Sequence, residues 1–339
     1  MLRVAALQIK SSSNKSELFQ RITDLVTDAA TKHKSQLIIL PEAFTGLYGV
    51  KHFESNAETW KAKDSGTKLM SDLALQHQIH IVGGVIEQHP INKKMYNTIA
   101  AFAPNGVECA RYRKMHLSKV SVGEDATSEG SVLESGEELS WFDIAESNDT
   151  KRMGSSWRIG LASCFDLRFH ELSDLLVKPP PHGLGSDVLV YPSSWLKSTG
   201  DLGHWDVLLK ARALDGQCYT MGISNSEDSG QETVAFGSTQ IIDPMGQVVS
   251  KCLDNTADEI VSGVLFKDKM IEVRNKRIPL QRCKRPIIYK DALRNVQGIS
   301  SATCMMRAPT GMEMVDVVCY RYFRVSFYCI NLQKVRKYW

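Results

Sequence analysis

The chain lacks the marks of several large protein classes. None of its 339 residues fall in an apolar stretch approaching the roughly 20 needed to span a bilayer. The opening Met1-Leu2-Arg3-Val4-Ala5-Ala6-Leu7-Gln8 is too short and too soon polar to read as a signal peptide. Net charge is only +3, from 41 basic and 38 acidic residues, which gives no argument for a nucleic-acid or membrane-surface partner. There is no glycine-rich phosphate loop and no metal-ligand spacing of His, Cys, Asp and Glu, so neither cofactor nor metal is expected. Eight cysteines are scattered without pairing spacing and read as reduced thiols in the cytosol, the mitochondrion being left open. What remains is 43% hydrophobic and large enough to bury a sizeable core.

Periodicity supplies an alternation of helix and strand. Residues 4 to 9 read as a strand. Leu18, Ile22, Leu25, Val26, Ala29 and Ala30 recur at helical spacing. Leu69, Met70, Leu73 and Leu75 suggest a second amphipathic helix, and Ile79 to Glu87 a strand. Thr98–Ala103 and Val107–Tyr112 read as a hairpin around Pro104-Asn105-Gly106. The second half repeats the pattern, with strands at 159–163, 187–191 and 217–223, helices at 168–177 and 203–215, and a hairpin around Asp243-Pro244-Met245-Gly246. Two helix-covered sheets would bury these faces, although periodicity alone does not separate them from a doubly wound sheet. Cys109, Cys218 and Cys252 lie in apolar strand contexts and are expected to be buried.

Three residues stand at strand ends, where sites of sheet enzymes lie. Leu37-Ile38-Ile39-Leu40 is a short apolar run stopped by Pro41, which leaves Glu42 at its end. Lys114 leaves the strand-like Ala110-Arg111-Tyr112-Arg113. Cys164 closes Ile159-Gly160-Leu161-Ala162-Ser163, with a helix expected just after it. Backbone N–H groups and a helix N-terminus beside that sulfur would favour thiolate over thiol. Each residue has an ordinary reading by itself: a solvated strand end, a surface cation, a small buried side chain.

Together they resemble the nitrilase superfamily of carbon–nitrogen hydrolases, and within it the omega-amidases. The matching segments are Leu40-Pro41-Glu42-Ala43-Phe44, Tyr112-Arg113-Lys114-Met115-His116-Leu117 and Gly160-Leu161-Ala162-Ser163-Cys164-Phe165-Asp166-Leu167-Arg168-Phe169. Tyr96-Asn97-Thr98, Tyr191-Pro192-Ser193-Ser194-Trp195, Thr199-Gly200 and His204-Trp205 support them, and the likeness runs from about Arg3 to about Tyr289. The resemblance implies an α/β fold, a four-layer α-β-β-α sandwich. It implies Cys164 as nucleophile, Glu42 as general base and Lys114, with the backbone N–H of Phe165, as oxyanion stabiliser. A second glutamate would be Glu129, although its loop lacks the family's usual Phe-Asp after His116-Leu117 and carries other acids, Glu124 and Asp125. Tyr48, Phe165, Ser193, Trp195 and Thr199 would contact substrate, with His116 and Arg168 behind the catalytic groups. Asp166 is expected to cap the helix after Cys164, and His204-Trp205-Asp206 to start another helix. The implied reaction is hydrolysis of the terminal amide of 2-oxoglutaramate or 2-oxosuccinamate, by a homodimer or higher homo-oligomer without cofactor. An amidase acting on deaminated glutathione, another amidase of the family, and an inactive interaction protein of the same fold are the alternatives.

The likeness sets residues 1–294 as the hydrolase domain and 295–339 as an extension without counterpart, carrying Cys304, Cys319 and Cys329. Residues 146–157 read as a polar insertion, and Pro179-Pro180-Pro181-His182-Gly183-Leu184-Gly185 as an extended loop.

Overall fold

Two six-stranded sheets lie face to face in the structure, a computed structural model that describes residues 1–122, 125–145, 156–231, 233–285 and 288. Residues 146–155 of the insertion read at 146–157, Glu124, Tyr289 and the extension from 295 fall outside the described residues, while Ser156 and a buried Trp157 already belong to a strand rather than to the insertion. Contacts divide the chain into Met1–Arg282 and Cys283–Trp339, and every element below belongs to the first unit.

The first sheet is built from β1 (Leu2–Gln8), β2 (Leu37–Ile39), β3 (His80–Gln88), β4 (Met95–Phe102) and β5 (Glu108–Arg113). A hairpin of β6 (Lys119–Val122) and β7 (Asp125–Ser128) stands apart from it. The second sheet holds β8 (Ser140–Ala145), β9 (Ser156–Leu161), β10 (Val188–Ser193), β11 (Tyr219–Ser224), β12 (Gln240–Ile242) and β13 (Val248–Lys251). The last strand, β14 (Glu259–Leu265), returns to the first sheet, whose order is β14-β1-β2-β3-β4-β5; the second runs β13-β12-β11-β10-β9-β8.

Side-chain alternation explains the layers. In β1, Leu2, Val4 and Ala6 join Ile159, Leu161, Val188 and Val190 in the core between the sheets. Ala5 and Leu7 point the other way, onto α1 (Lys15–Thr31) and, across α2 (Val50–Asn56), α3 (Gly66–His77). On the outer face of the second sheet, Leu189 and Ile242 meet α4 (His170–Val177) and, past α5 (Lys197–Asp201), α6 (His204–Gly216). This is an α-β-β-α sandwich, with strands buried on both faces.

Several local expectations need correction. Leu75 is 51% exposed and lies off the buried stripe of α3, where Met70, Leu73 and Ala74 do the packing. The helix after Cys164 begins as a five-residue 3₁₀ turn, Cys164–Arg168, and α4 starts only at His170. Cys109 is exposed, unlike Cys218 and Cys252, because it points away from the core on β5.

β2 runs parallel to β1 and β3, while β4 is antiparallel to both β3 and β5. The C-terminal ends of β2 and β5 therefore share one rim. β9 and β10 are parallel in the facing sheet and deliver their own ends.

Candidate active site

The residues at these strand ends converge. After β2 the chain turns at Glu42 with Ala43 at φ 45°, and after β9 it turns with Cys164 itself at φ 43°. Each left-handed non-glycine residue costs roughly 1–2 kcal/mol. Both strained positions flank or carry a reactive group, the usual place for such strain. The Glu42 turn rests directly on β3. A Cβ at Gly84 would lie 2.8 Å from the Glu42 Cα, so glycine is what permits that approach.

Glu42 and Lys114 are wholly buried, and Glu129 nearly so. The Lys114 ammonium donates to Glu42 Oε1 at 2.8 Å and reaches both Glu129 oxygens, at 3.1 and 2.8 Å. Glu129 lies in a short turn, Glu129–Ser131, directly after β7, and accepts from the Ser118 backbone N–H at 2.6 Å and from the Tyr48 hydroxyl at 2.9 Å. Asn97, from the middle of β4, donates to Glu42 Oε1 at 2.7 Å and to Glu129 Oε1 at 3.3 Å. Glu42 Oε2 accepts from the Ser194 backbone N–H at 2.8 Å.

Burial disfavours an ionised Lys114, but Glu129 and Glu42 outweigh it and hold the ammonium well above its ordinary range. Glu129 is likewise pushed up by burial and pulled further down by Lys114 and by the Ser118 N–H. Two carboxylates thus face one ammonium. Cys164, 7% exposed, receives the surplus: burial first and Glu42 second push its thiol well above the usual range, with Lys114 opposing. The expected resting thiolate is therefore corrected to a thiol hydrogen-bonded toward Glu42. A 3₁₀ turn of five residues offers too small a dipole to reverse two nearby carboxylates.

In front of the sulfur opens a cleft of about 340 Å³. Of the residues expected to contact substrate, Tyr48, Phe165, Trp195 and Thr199 line it. Ser193 does not: its hydroxyl turns back to the Tyr191 carbonyl at 2.9 Å, and its neighbour Ser194 faces the cleft. Arg168 also moves forward from the supporting role expected for it. It lines the cleft, stacks 4.6 Å over Trp195, and is the one charged side chain among the lining residues described. Its Nη1 lies 3.3 Å from His204 Nδ1, and its buried Nε has no partner among the described residues.

His116 stays behind the site. Its ring stacks 3.7 Å from Phe169, and its Nδ1 lies 2.7 Å from Asp166 Oδ1. Asp166 is more than a cap. It also accepts from the Tyr112 hydroxyl at 2.7 Å and the Ser163 N–H at 3.0 Å, tying the Lys114 strand to the Cys164 turn. Trp205 is fully buried at the start of α6, as expected of that motif. The role of Asn97 escapes a reading by sequence; its signal is a buried amide, beside Thr98, at the head of the apolar run Ile99-Ala100-Ala101-Phe102. Val120 also lines the cleft, and nothing in its sequence context announces it; Leu196 lines it too, within the loop Ser193 to Thr199 expected at the pocket.

Comparison with known proteins identifies the family. Residues 3–275 match the carbon-nitrogen hydrolase family. The chain is 33% identical over 288 residues to human omega-amidase NIT2, covering 85% of this chain and 96% of the human protein. Among solved structures, Saccharomyces cerevisiae Nit3, described as a member of branch 10 of the nitrilase superfamily, superposes with a TM-score of 0.71 at 27% identity, over 82% of this chain and 94% of Nit3. The C. elegans NitFhit protein shares the fold with a TM-score of 0.69 at 24% identity, over 85% of this chain and 66% of that one.

Proposed function

The chain belongs to the carbon–nitrogen hydrolase family, and from that premise we propose that it is an omega-amidase, releasing ammonia from the terminal amide of a short 2-oxo dicarboxylic acid monoamide such as 2-oxoglutaramate or 2-oxosuccinamate. The observation that carries the substrate class is Arg168. A single guanidinium beside the nucleophile, with its Nε unpartnered, suits a small molecule with an amide at one end and a carboxylate at the other.

The chemistry follows from the buried charges. The substrate carbonyl enters above Cys164. The thiol proton passes to Glu42 as the sulfur pair bonds to the carbonyl carbon, and the C=O π pair moves onto oxygen. Concerted transfer avoids a free thiolate beside two carboxylates. Lys114, fixed as an ammonium, and the Phe165 N–H stabilise the oxyanion; such donors are each worth roughly 10²–10³ in rate. The tetrahedral intermediate collapses, the departing nitrogen takes the proton from Glu42, and ammonia leaves a thioester on Cys164. Glu42 then takes a proton from water, hydroxide adds to the thioester, and the thiol is re-formed as the acid departs. Glu129 holds Lys114 from the far side and is itself held by Tyr48 and Ser118.

Within this reading the enzyme works as a cytosolic homodimer in glutamine and asparagine metabolism, and sizing the purified protein checks the dimer. Ammonia release from 2-oxoglutaramate tests the reaction. Release that disappears in Cys164→Ala supports it. Turnover of deaminated glutathione in preference to 2-oxoglutaramate moves the chain to that branch, and no release from folded protein leaves an inactive fold.

A further inference from the structure

The two oxygens of Glu42 keep unequal company. Oε1 accepts from Asn97 Nδ2 at 2.7 Å, Lys114 Nζ at 2.8 Å and Ser163 Oγ at 3.2 Å. Oε2 accepts from the Ser194 backbone N–H at 2.8 Å. An ammonium and an amide NH₂ cannot turn round and accept. A proton on Oε1 would therefore face three donors, whereas Oε2 faces a single N–H, with the Cys164 thiol beside the carboxylate. We infer that Glu42 carries its travelling proton on Oε2, and that Asn97 and Ser163 are positioning residues that keep Oε1 a fixed acceptor throughout the cycle.

Asn97 bears the mark of that duty. Its amide edge is shared between Glu42 and Glu129, and its buried Oδ1 has no partner among the described residues. Leaving a buried carbonyl oxygen unsatisfied costs roughly 1–3 kcal/mol. The opposite orientation would set that oxygen against two carboxylates, so the donor edge is the one kept.

Ser163 adds a response to charge. Its hydroxyl has a second acceptor, the Pro192 carbonyl, at 3.4 Å. One hydroxyl proton can serve only one of them at a time. It points to Oε1 while Glu42 is ionised and turns to Pro192 when Glu42 holds the proton. The Ser163 backbone does not depend on that hydroxyl, since its N–H is held separately by Asp166 Oδ2 at 3.0 Å. The other ionisable groups facing Glu42 among the described residues are Lys114 from the end of β5, Glu129 from the turn after β7, and Cys164 from the turn after β9, with Tyr48 behind Glu129.

The inference rests on Glu42 as proton carrier but not on which amide is cleaved. Ser163→Ala removes one charge-assisted donor, so the acid limb of its kcat/KM profile should move to higher pH by about one unit, with KM on the plateau unchanged. Ser163→Thr keeps the hydroxyl and should return the limb toward wild type. Alkylation of Cys164 by iodoacetamide across the same pH range needs no turnover and should show the same displacement. Circular dichroism confirms that each variant is folded. An acid limb that stays in place in Ser163→Ala, in both turnover and alkylation, overturns the inference. Displaced alkylation without turnover of any 2-oxo acid amide would instead leave the inference standing and sink the substrate assignment.

Discussion

The inner and outer walls of the site are built on opposite rules. Behind Cys164, Glu42, Lys114 and Glu129 are buried, and their charged atoms are all paired. In front of it, the Arg168 Nε, the Trp195 Nε1 and the Ser194 hydroxyl are buried without partners among the described residues. A satisfied network is rigid and fixes one chemistry. Unsatisfied donors around a cleft are what a polar substrate would satisfy, so they hold the specificity. The chemistry and the substrate choice are thus separable here, which gives distinct ways to disturb each.

The inner wall should respond most. Glu42→Gln keeps the shape but cannot carry the proton, and should lower kcat by roughly 10²–10⁴-fold with little change in thermal unfolding. A large loss of stability instead would make Glu42 a structural carboxylate. Lys114→Met leaves two carboxylates without their shared cation and should destabilise the fold by about 3–5 kcal/mol, read from urea unfolding. On the outer wall, Arg168→Met should raise KM for 2-oxoglutaramate roughly 10–100-fold, the worth of a charge-assisted pair. It should change kcat far less, and an uncharged short amide should lose several-fold less. Equal losses for both amides would erase the distinction between the walls.

The smallest effect is the pH dependence of stability. Glu129 is depressed on folding below its ordinary 4.5, chiefly by Lys114 against the cost of burial. Its contribution is full above pH 4.5 and is lost as pH falls through the folded value, so unfolding free energy should decline on the acid side below 4.5. Lys114 is raised above 10.5, so its share is full below 10.5 and fades only as pH rises through its folded value. Glu129→Gln should flatten the acid decline. An unchanged slope would mean that other carboxyls set it.

Legibility followed the same division. Glu42 and Cys164 could be found because each ends an apolar run, and Lys114 because it leaves the strand Glu108–Arg113, and strand ends on one rim meet. Glu129 sits in a loop with several acids, and local pattern does not choose among them; only resemblance to the family did. Ser193 shows how a pleat defeats a motif. β10 continues through it, its side chain turns from the cleft, and the next serine takes the place. The thiol state of Cys164 was beyond sequence altogether, because it depends on two carboxylates brought from far along the chain. The two-sheet architecture was readable from alternation only as far as helix-covered strands. The pairing of β14 with β1, which closes the first sheet, is a contact between the two ends of the fold that no local period encodes.

The account stands on a covalent intermediate at one sulfur. Rapid quenching during turnover of 2-oxoglutaramate, followed by mass spectrometry of the peptide containing Cys164, tests it directly. The predicted result is an adduct on Cys164 equal to the substrate less ammonia, absent in Cys164→Ala. Steady turnover with that sulfur always unmodified, or the acyl group on another residue, would contradict it.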